Sequence, residues 1–333
     1  MRLGRRKFLR LAVGAAGVAA LPAVSDAVIA QTFPAQTYPS RPLRLIVGYP
    51  PGGGTDTVAR IMAQWLSDRL GEAVVVENRP GAATNLSIQA VTAAAPDGYT
   101  LLLIAASAAV NVSLFQNLPF DLLRDIAPVS GLIDFPLVMV VNPSMPATNV
   151  AEFIAYTKAN AGKVSMASYG TGSTSHVAGE LFMMMTGTKM LHVPYRGEAP
   201  ALVDVMSGQV QVMFLTLTGA ISHVRSGALR LLAVGGKTRS EFVPDTPTVG
   251  ETVPGYEANS WCGVGVPKAT PAAIIERLNT EINAGLSDPA TKGRLASVGT
   301  TPIFYNPAGF GAYLAGEIEK WGKVVRAANI KPD

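Results

Sequence analysis

Two stretches of this chain carry the residue types that hold small anions. The first is Tyr49–Asp56, in which Gly52, Gly53 and Gly54 precede Thr55 and Asp56. Three successive glycines remove every Cβ from the turn, so backbone N–H groups can crowd around a guest. Val58, Ile61, Met62, Trp65, Leu66 and Leu70 then recur at helical spacing. A helix opening at such a loop offers unpaired N–H donors and the positive end of its dipole, a ready anion site. The second stretch is Ser168–His176. There the hydroxyls of Ser168, Thr171, Ser173 and Ser175 alternate with the bare amides of Gly170 and Gly172, just before another helical run. Such donors suit a carboxylate and need no catalytic group. Valine at Gly53 or Gly172 is expected to block backbone approach and abolish binding, with stability changing less.

Other chemistries fit these residues less well. No lysine follows the glycines of the first loop, and G-x-G-x-x-G spacing with a distant acid is absent, so neither nucleotide fingerprint is present. Asp56 either caps the helix N-terminus or touches the ligand. Ser173 or Ser175 with His176 would be the nucleophile and base of a secreted serine hydrolase. The G-x-S-x-G elbow is missing, however, and no acid is evidently placed to orient His176. Ser173 also reads as an N-cap, which is compatible with binding. His176, His192 and His223 lack metal-ligand spacing, and Cys262 stands alone, so no metal or other cofactor is expected. His192 falls in a strand pattern and reads as structural; Cys262, after Trp261, reads as a buried thiol. Tyr195 and Arg196 end a strand, where open α/β sheets gather ligands. Arg196 would pair a carboxylate or brace a loop through Glu198 or Asp204.

The elements that must position these loops alternate strand and helix, which argues an α/β fold with parallel strands. Leu43–Val47, Ala73–Glu77 and Thr100–Ile104 read as strands, and Asn85–Ala95 as a helix. Leu118–Arg124 reads as irregular, and Leu137–Val141 as a strand before the first crossing between domains. Asn149 caps a helix over 150–160 with Glu152 three residues on. A βαβαβαβ unit follows through Leu229–Val234. Residues 235–256 are loop-rich, and Trp261–Val266 reads as the strand that returns. Three helices close the chain; the last, opened by Pro307, carries Phe310, Tyr313, Leu314, Ile318, Trp321, Val324 and Val325 as its apolar stripe.

A length of 333 residues, 48% hydrophobic and 15% charged, supports two domains with sizeable cores. The first thirty residues read as a leader instead. Arg2, Arg5, Arg6, Lys7 and Arg10 precede the apolar run Leu11–Val24, and Val28-Ile29-Ala30 fits a cleavage site before Gln31. Arg5-Arg6 followed by Phe8 and Leu9 points to twin-arginine export. Removing Met1–Ala30 takes five basic residues and one acid, leaving 22 of each. Nothing then argues for nucleic acid or an anionic membrane surface as a partner. One cysteine cannot form an internal disulfide, so the core must hold the fold.

The chain resembles, almost throughout its mature length, the Bug (TctC-like) extracytoplasmic solute receptors of tripartite tricarboxylate transporters. Pro51–Asp56, Val76–Ala82, Pro96–Thr100, Gly170–His176, Val193–Gly197, Pro244–Thr248 and Gly263–Pro267 carry the resemblance, in order and at matching spacing. It implies a two-domain periplasmic-binding-protein-like α/β fold with a hinge and an interdomain cleft. We expect residues 31–141 and 256–333 in domain I and 142–255 in domain II. The resemblance also implies a periplasmic, monomeric, non-enzymatic receptor whose partners are a small organic acid and either transporter subunits or a sensor protein. Carried over by position, Gly53, Gly54, Thr55 and Asp56 form one pincer. Ser168, Gly170, Thr171, Gly172, Ser173 and Ser175 form the other, and Tyr195 lines the cleft floor. The chain departs from the family pattern at Ala83-Thr84-Asn85-Leu86-Ser87, where glycines usually flank an asparagine.

Overall fold

The computed structural model describes residues 38–332; the expected leader, its cleavage site and the first residues of the lead-in lie outside them. β1 (Leu43–Val47) is apolar on both faces. Leu43, Leu45 and Val47 pack with Val58, Ile61, Met62 and Leu66, whereas Ile46 joins Ile88 and Val91 on the other side. A strand with period-two side chains buried on both faces is the centre of an α/β sandwich. α1 (Gly54–Leu70) supplies one cover and ends at Gly71, whose φ of 76° is left-handed and lets its N–H reach Ser67 O. β2 (Val74–Asn78), a single 3-10 turn (Ala82–Thr84), α2 (Asn85–Thr92) and β3 (Thr100–Ala105) complete the first unit.

The chain continues through α3 (Ala106–Leu114), α4 (Leu122–Asp125) and β4 (Ile126–Val141). The second unit runs α5 (Val150–Ala159), β5 (Ser165–Ser168), α6 (Thr174–Thr186), β6 (Leu191–Pro194), α7 (Glu198–Met206), β7 (Val212–Thr216), α8 (Leu217–Arg225) and β8 (Arg230–Val234). After α9 (Val249–Thr252), β9 (Asn259–Pro267) leads to α10 (Ala272–Ser287), α11 (Pro289–Ser297), β10 (Thr301–Pro302) and α12 (Pro307–Ala327). The strand order is β2-β1-β3-β9-β4-β7-β5-β6, with β8 and β10 also paired to β4.

Parallel pairing holds within β2-β1-β3 and within β6-β5-β7. It fails in the middle, where β9 is antiparallel to β3 and to β4, and β4 is antiparallel to β7 and β8. β4 lies against β9 through Pro136 and against β7 from Leu137 onward. It leaves one group of strands for the other, and β9 comes back beside it, which forces opposite directions.

Besides the short α4, α9 and β10, which fall where the sequence reads as irregular or loop-rich or were not read, two longer elements differ from the sequence reading. β4 begins eleven residues before Leu137, because Pro128 sits beside a register shift that spares it a ladder hydrogen bond. α3 went unread because its nine residues are nearly all small or apolar and seven of them are buried, which leaves no clear helical period. The stripe of α12 packs inward as expected, with Phe310, Leu314, Trp321, Val324 and Val325 in the core. Glu317 ties it down: Trp261 of β9 and Trp321 both donate indole N–H to Glu317 Oε2 at 2.9 Å, and Lys320 pairs with the other oxygen. Cys262 is fully buried, and burial raises its thiol pKa. Among the described residues, no helix is long and apolar enough to cross a membrane.

Candidate functional site

The order β2-β1-β3 and the order β6-β5-β7 are the same arrangement used twice. In each, the chain steps from the central strand to one neighbour and then crosses to the other side. Connections leaving adjacent strands in opposite directions open a crevice at the strands' carboxyl ends, where such sheets take ligands. The first crevice lies between the loop after β1 and the start of α3. The second lies between the loop after β5 and the start of α8.

The first crevice is lined by open backbone. Gly53 is the N-cap of α1, and no side chain caps that end. Cβ atoms added at Gly52 or Gly53 would meet nothing within 4 Å. α3 also begins without a side-chain cap. Tyr49 and Ser107 join the two edges through their hydroxyls at 2.8 Å, with Thr84 Oγ1 3.4 Å from Ser107. Asp56 is buried, and its oxygens are occupied from within. They accept from the Gly52 amide at 2.9 Å, from Arg60 Nε and Nη2 at 2.9 and 3.1 Å, and from Asn78 Nδ2 at 2.8 Å. Burial acts to raise the Asp56 pKa, but these donors outweigh it and hold the carboxyl below its usual value. The side chain thus braces the glycine loop, with Thr55 half-buried beside it.

The second crevice is organised by hydroxyls and imidazoles. Ser173 caps α6: its Oγ accepts from His176 N at 3.3 Å and donates to Gly170 O at 2.6 Å. Ser168 Oγ contacts His192 Nε2 at 2.7 Å and accepts from Gly170 N at 3.2 Å. His176 Nδ1 accepts from Gly172 N at 3.1 Å, which leaves Nε2–H for Glu180 at 3.3 Å. The two rings stack at 3.6 Å and 7°. Gly170 (φ 134°) and Gly172 (φ 75°) both adopt conformations that disfavour a side chain.

The structure brings Gly170, Thr171, Gly172 and Ser173 together at the crevice edge, with Ser168 buried beneath them. Ser175 faces elsewhere: its hydroxyl is fully buried and donates to Phe214 O of β7. Tyr195 gives its hydroxyl to Asp204 Oδ2 at 2.6 Å; burial and that carboxylate push the phenol to about 12. Arg196 is exposed and forms no ion pair among the described residues. Neither Ser173 nor Ser175 directs its hydroxyl at the His176 ring, so the hydrolase arrangement is not assembled. Among the described residues, no group of three or more His, Cys, Asp or Glu side chains could hold a metal ion.

The second loop packs on the far end of α3, the helix that bounds the first crevice. Burial raises the Tyr169 pKa most, and the charges of Glu198 and Tyr49 raise it further. A Cβ at Gly172 would collide with Leu114 Cδ2 at the end of α3. Thr218 in the first turn of α8 donates to Val298 O at 3.1 Å. Sequence reading placed Tyr49 and Tyr169 inside the two loops without giving either a role, and missed Ser107 altogether. A tyrosine just past the end of each central strand, two residues after β1 and one after β5, was the available signal for that pair.

A family model described as the tripartite tricarboxylate transporter family receptor matches residues 58–330. Protein BugT of Bordetella pertussis is 40% identical over 311 residues, 92% of this chain and 95% of that one. A structure of R. palustris Rpa4515 with adipate superposes with a TM-score of 0.80 at 33% identity, covering 89% of this chain and all of that one. MatC from Rhodopseudomonas palustris, with bound malate, gives 0.76 at 29% identity, covering 86% and 100%.

Proposed function

The chain belongs to the tripartite tricarboxylate transporter receptor family, and on that premise we propose that it is a periplasmic receptor for a small carboxylate. The ligand is held between Gly53, Gly54 and Thr55 on one side and the Ser168–Ser173 loop on the other. Residues 31–141 and 256–333 form one domain and 142–255 the other, and β4 and β9 are the hinge between them. Closure around the ligand presents it to the membrane subunits of a tripartite transporter or to a sensor. The protein reaches the periplasm by twin-arginine export with cleavage near Ala30, and acts as a monomer.

One observation supports this reading most: α1 starts uncapped with open space at Gly52 and Gly53, and a second glycine loop stands at the carboxyl end of β5. Two sets of amide donors, with no assembled nucleophile between them, suit a carboxylate that is bound and released unchanged. The adipate and malate held by the two R. palustris relatives support the ligand class.

Native mass spectrometry of the purified protein, followed by thermal shift against mono-, di- and tricarboxylates, tests it. A retained or stabilising acid is the expected result. At a hundredfold excess over Kd the mass-action stabilisation is about 2.7 kcal/mol, well within detection. No retained acid and no shift with any member would overturn the receptor reading.

A further inference from the structure

The glycine loop after β5 is held by a side chain that can take up a proton. His176 lies in the first turn of α6 and is 4% exposed. Its Nδ1 accepts from Gly172 N at 3.1 Å. A ring nitrogen that accepts carries no hydrogen, so the ring is the neutral Nε2–H tautomer, and Nε2 faces Glu180 Oε1 at 3.3 Å. The neighbouring amides are taken by groups that do not titrate. Gly170 N goes to Ser168 Oγ at 3.2 Å, Ser173 N to Gly170 O at 3.1 Å, and His176 N to Ser173 Oγ at 3.3 Å. His192 of β6 lies flat on the His176 ring at 3.6 Å and contacts Ser168 Oγ, at the start of the same loop, at 2.7 Å.

An imidazolium bears N–H at both nitrogens, so a protonated His176 would set donor against donor at Gly172. The stacked His192 ring further disfavours charge on the pair, because two cations so close repel. Glu180 acts the other way, and Lys189 lines the same surface pocket as Glu180. The remaining elements packed on α6 add little charge. α3, β5 and β7 carry no titratable residue, and Cys262 of β9 packs among the side chains around β1. Tyr256, just before β9, donates to Ala178 O. On α12, Glu317 pairs with Lys320, Glu319 with Lys323, Arg326 lies against Gly322, and Tyr313 packs on Trp261. We propose that His176 is a positioning residue for the second loop, which holds ligand while the ring is neutral and loosens when the ring is protonated. The inference rests on the receptor reading above and adds release by acid to it.

The test begins without ligand. Nitrogen NMR of the imidazoles should show His176 as the Nε2–H tautomer at about pH 8, and the Gly172 amide resonance should move in step with His176 as the pH falls to about 5. An Nδ1–H tautomer, a ring that stays neutral to about pH 5, or a Gly172 amide that ignores the titration would overturn the inference whether or not any acid binds. Calorimetry with lactate, malate, adipate and citrate then reads the consequence. An acid that binds should lose about threefold to tenfold in affinity between about pH 7.5 and 5.5, beyond the loss that the same acid shows with His176→Asn. Asparagine can accept from Gly172 through Oδ1 and does not titrate, so this variant should bind within about threefold of the parent at pH 7.5. Melting curves check that it folds; should it not, the ligand-free resonances decide. Affinity that rises on acidification would overturn the inference, and so would an equal pH dependence in His176→Asn, which would point to His192. Absence of binding by all four acids would overturn the receptor reading, while the resonances still decide how the loop answers the proton.

Discussion

Gly53 and Gly172 look equivalent as letters, each a bare position in a donor-rich loop, but the structure separates them. Gly53 has a φ of −79° and open surroundings, so valine there covers the α1 amides without straining the chain. Gly53→Val should lose calorimetrically detectable carboxylate binding while Tm stays within about 2 °C. Gly172 has a φ of 75° and abuts Leu114. Gly172→Val should lose binding and also about 2–4 kcal/mol of stability in urea melts, so its loss of affinity alone would not test the loop. The open space at Gly53 supports the expectation that stability changes less there, whereas the left-handed angle and the Leu114 contact at Gly172 argue against it. A glycine's backbone angle and its neighbour across the crevice are tertiary facts. Asp56 teaches the same point: its position in the motif left ligand contact and local bracing open, and the hydrogen bonds from Arg60, Asn78 and Gly52 place it in bracing.

Elements carry two further expectations. Glu317 fastens α12 to β9 by accepting two buried indole N–H groups. Glu317→Leu strands both donors in an apolar setting and should cost about 2–5 kcal/mol, whereas Glu317→Gln keeps an acceptor and should cost markedly less in the same denaturant titration. Asp134 lies on β4 three residues before the strand transfers to β7, and accepts from Asn259 Nδ2 at 2.7 Å. Burial, followed by the charges of Glu257 and Glu317, raises its pKa from 3.8 to about 7. The native state therefore holds this proton more tightly than the unfolded chain. Its contribution to stability falls as pH rises from about 4 to about 7 and is constant above that. Asp134→Asn should stabilise the protein at pH 8 by at most about 4 kcal/mol and change little at pH 4. An equal effect at both pH values would show that the carboxyl is not held this way. The helix over 150–159, with Asn149 accepting from Glu152 N at 2.9 Å, was readable because a cap is local. β4 was only half readable, because a bulge that excuses a proline depends on the partner strand.

At the scale of the molecule, β4 runs from one group of strands to the other with β9 beside it, and the proposed closure would bend them. Small-angle scattering should report a smaller radius of gyration when a stabilising carboxylate saturates the protein. Calorimetric binding with an unchanged scattering curve would rule out closure as the response. The same experiment on Gly53→Val, with its intact core, should show no compaction at ligand concentrations that saturate the parent protein.

The sequence by itself determined the α/β class, the two glycine-rich stretches, the helix starts at Asn149, Ser173 and Pro307, and the burial of Cys262. Each of these rests on local periodicity, capping or missing Cβ atoms, which a chain displays before it folds. Only the tertiary structure decided that the sheet is mixed and that the order β2-β1-β3 recurs as β6-β5-β7. It alone seated Ser175 in the core against Phe214 and turned the oxygens of Asp56 toward Gly52, Arg60 and Asn78. Pairing direction, crevice position and the satisfaction of a buried charge are properties of residues far apart in the chain, and no spacing along it encodes them.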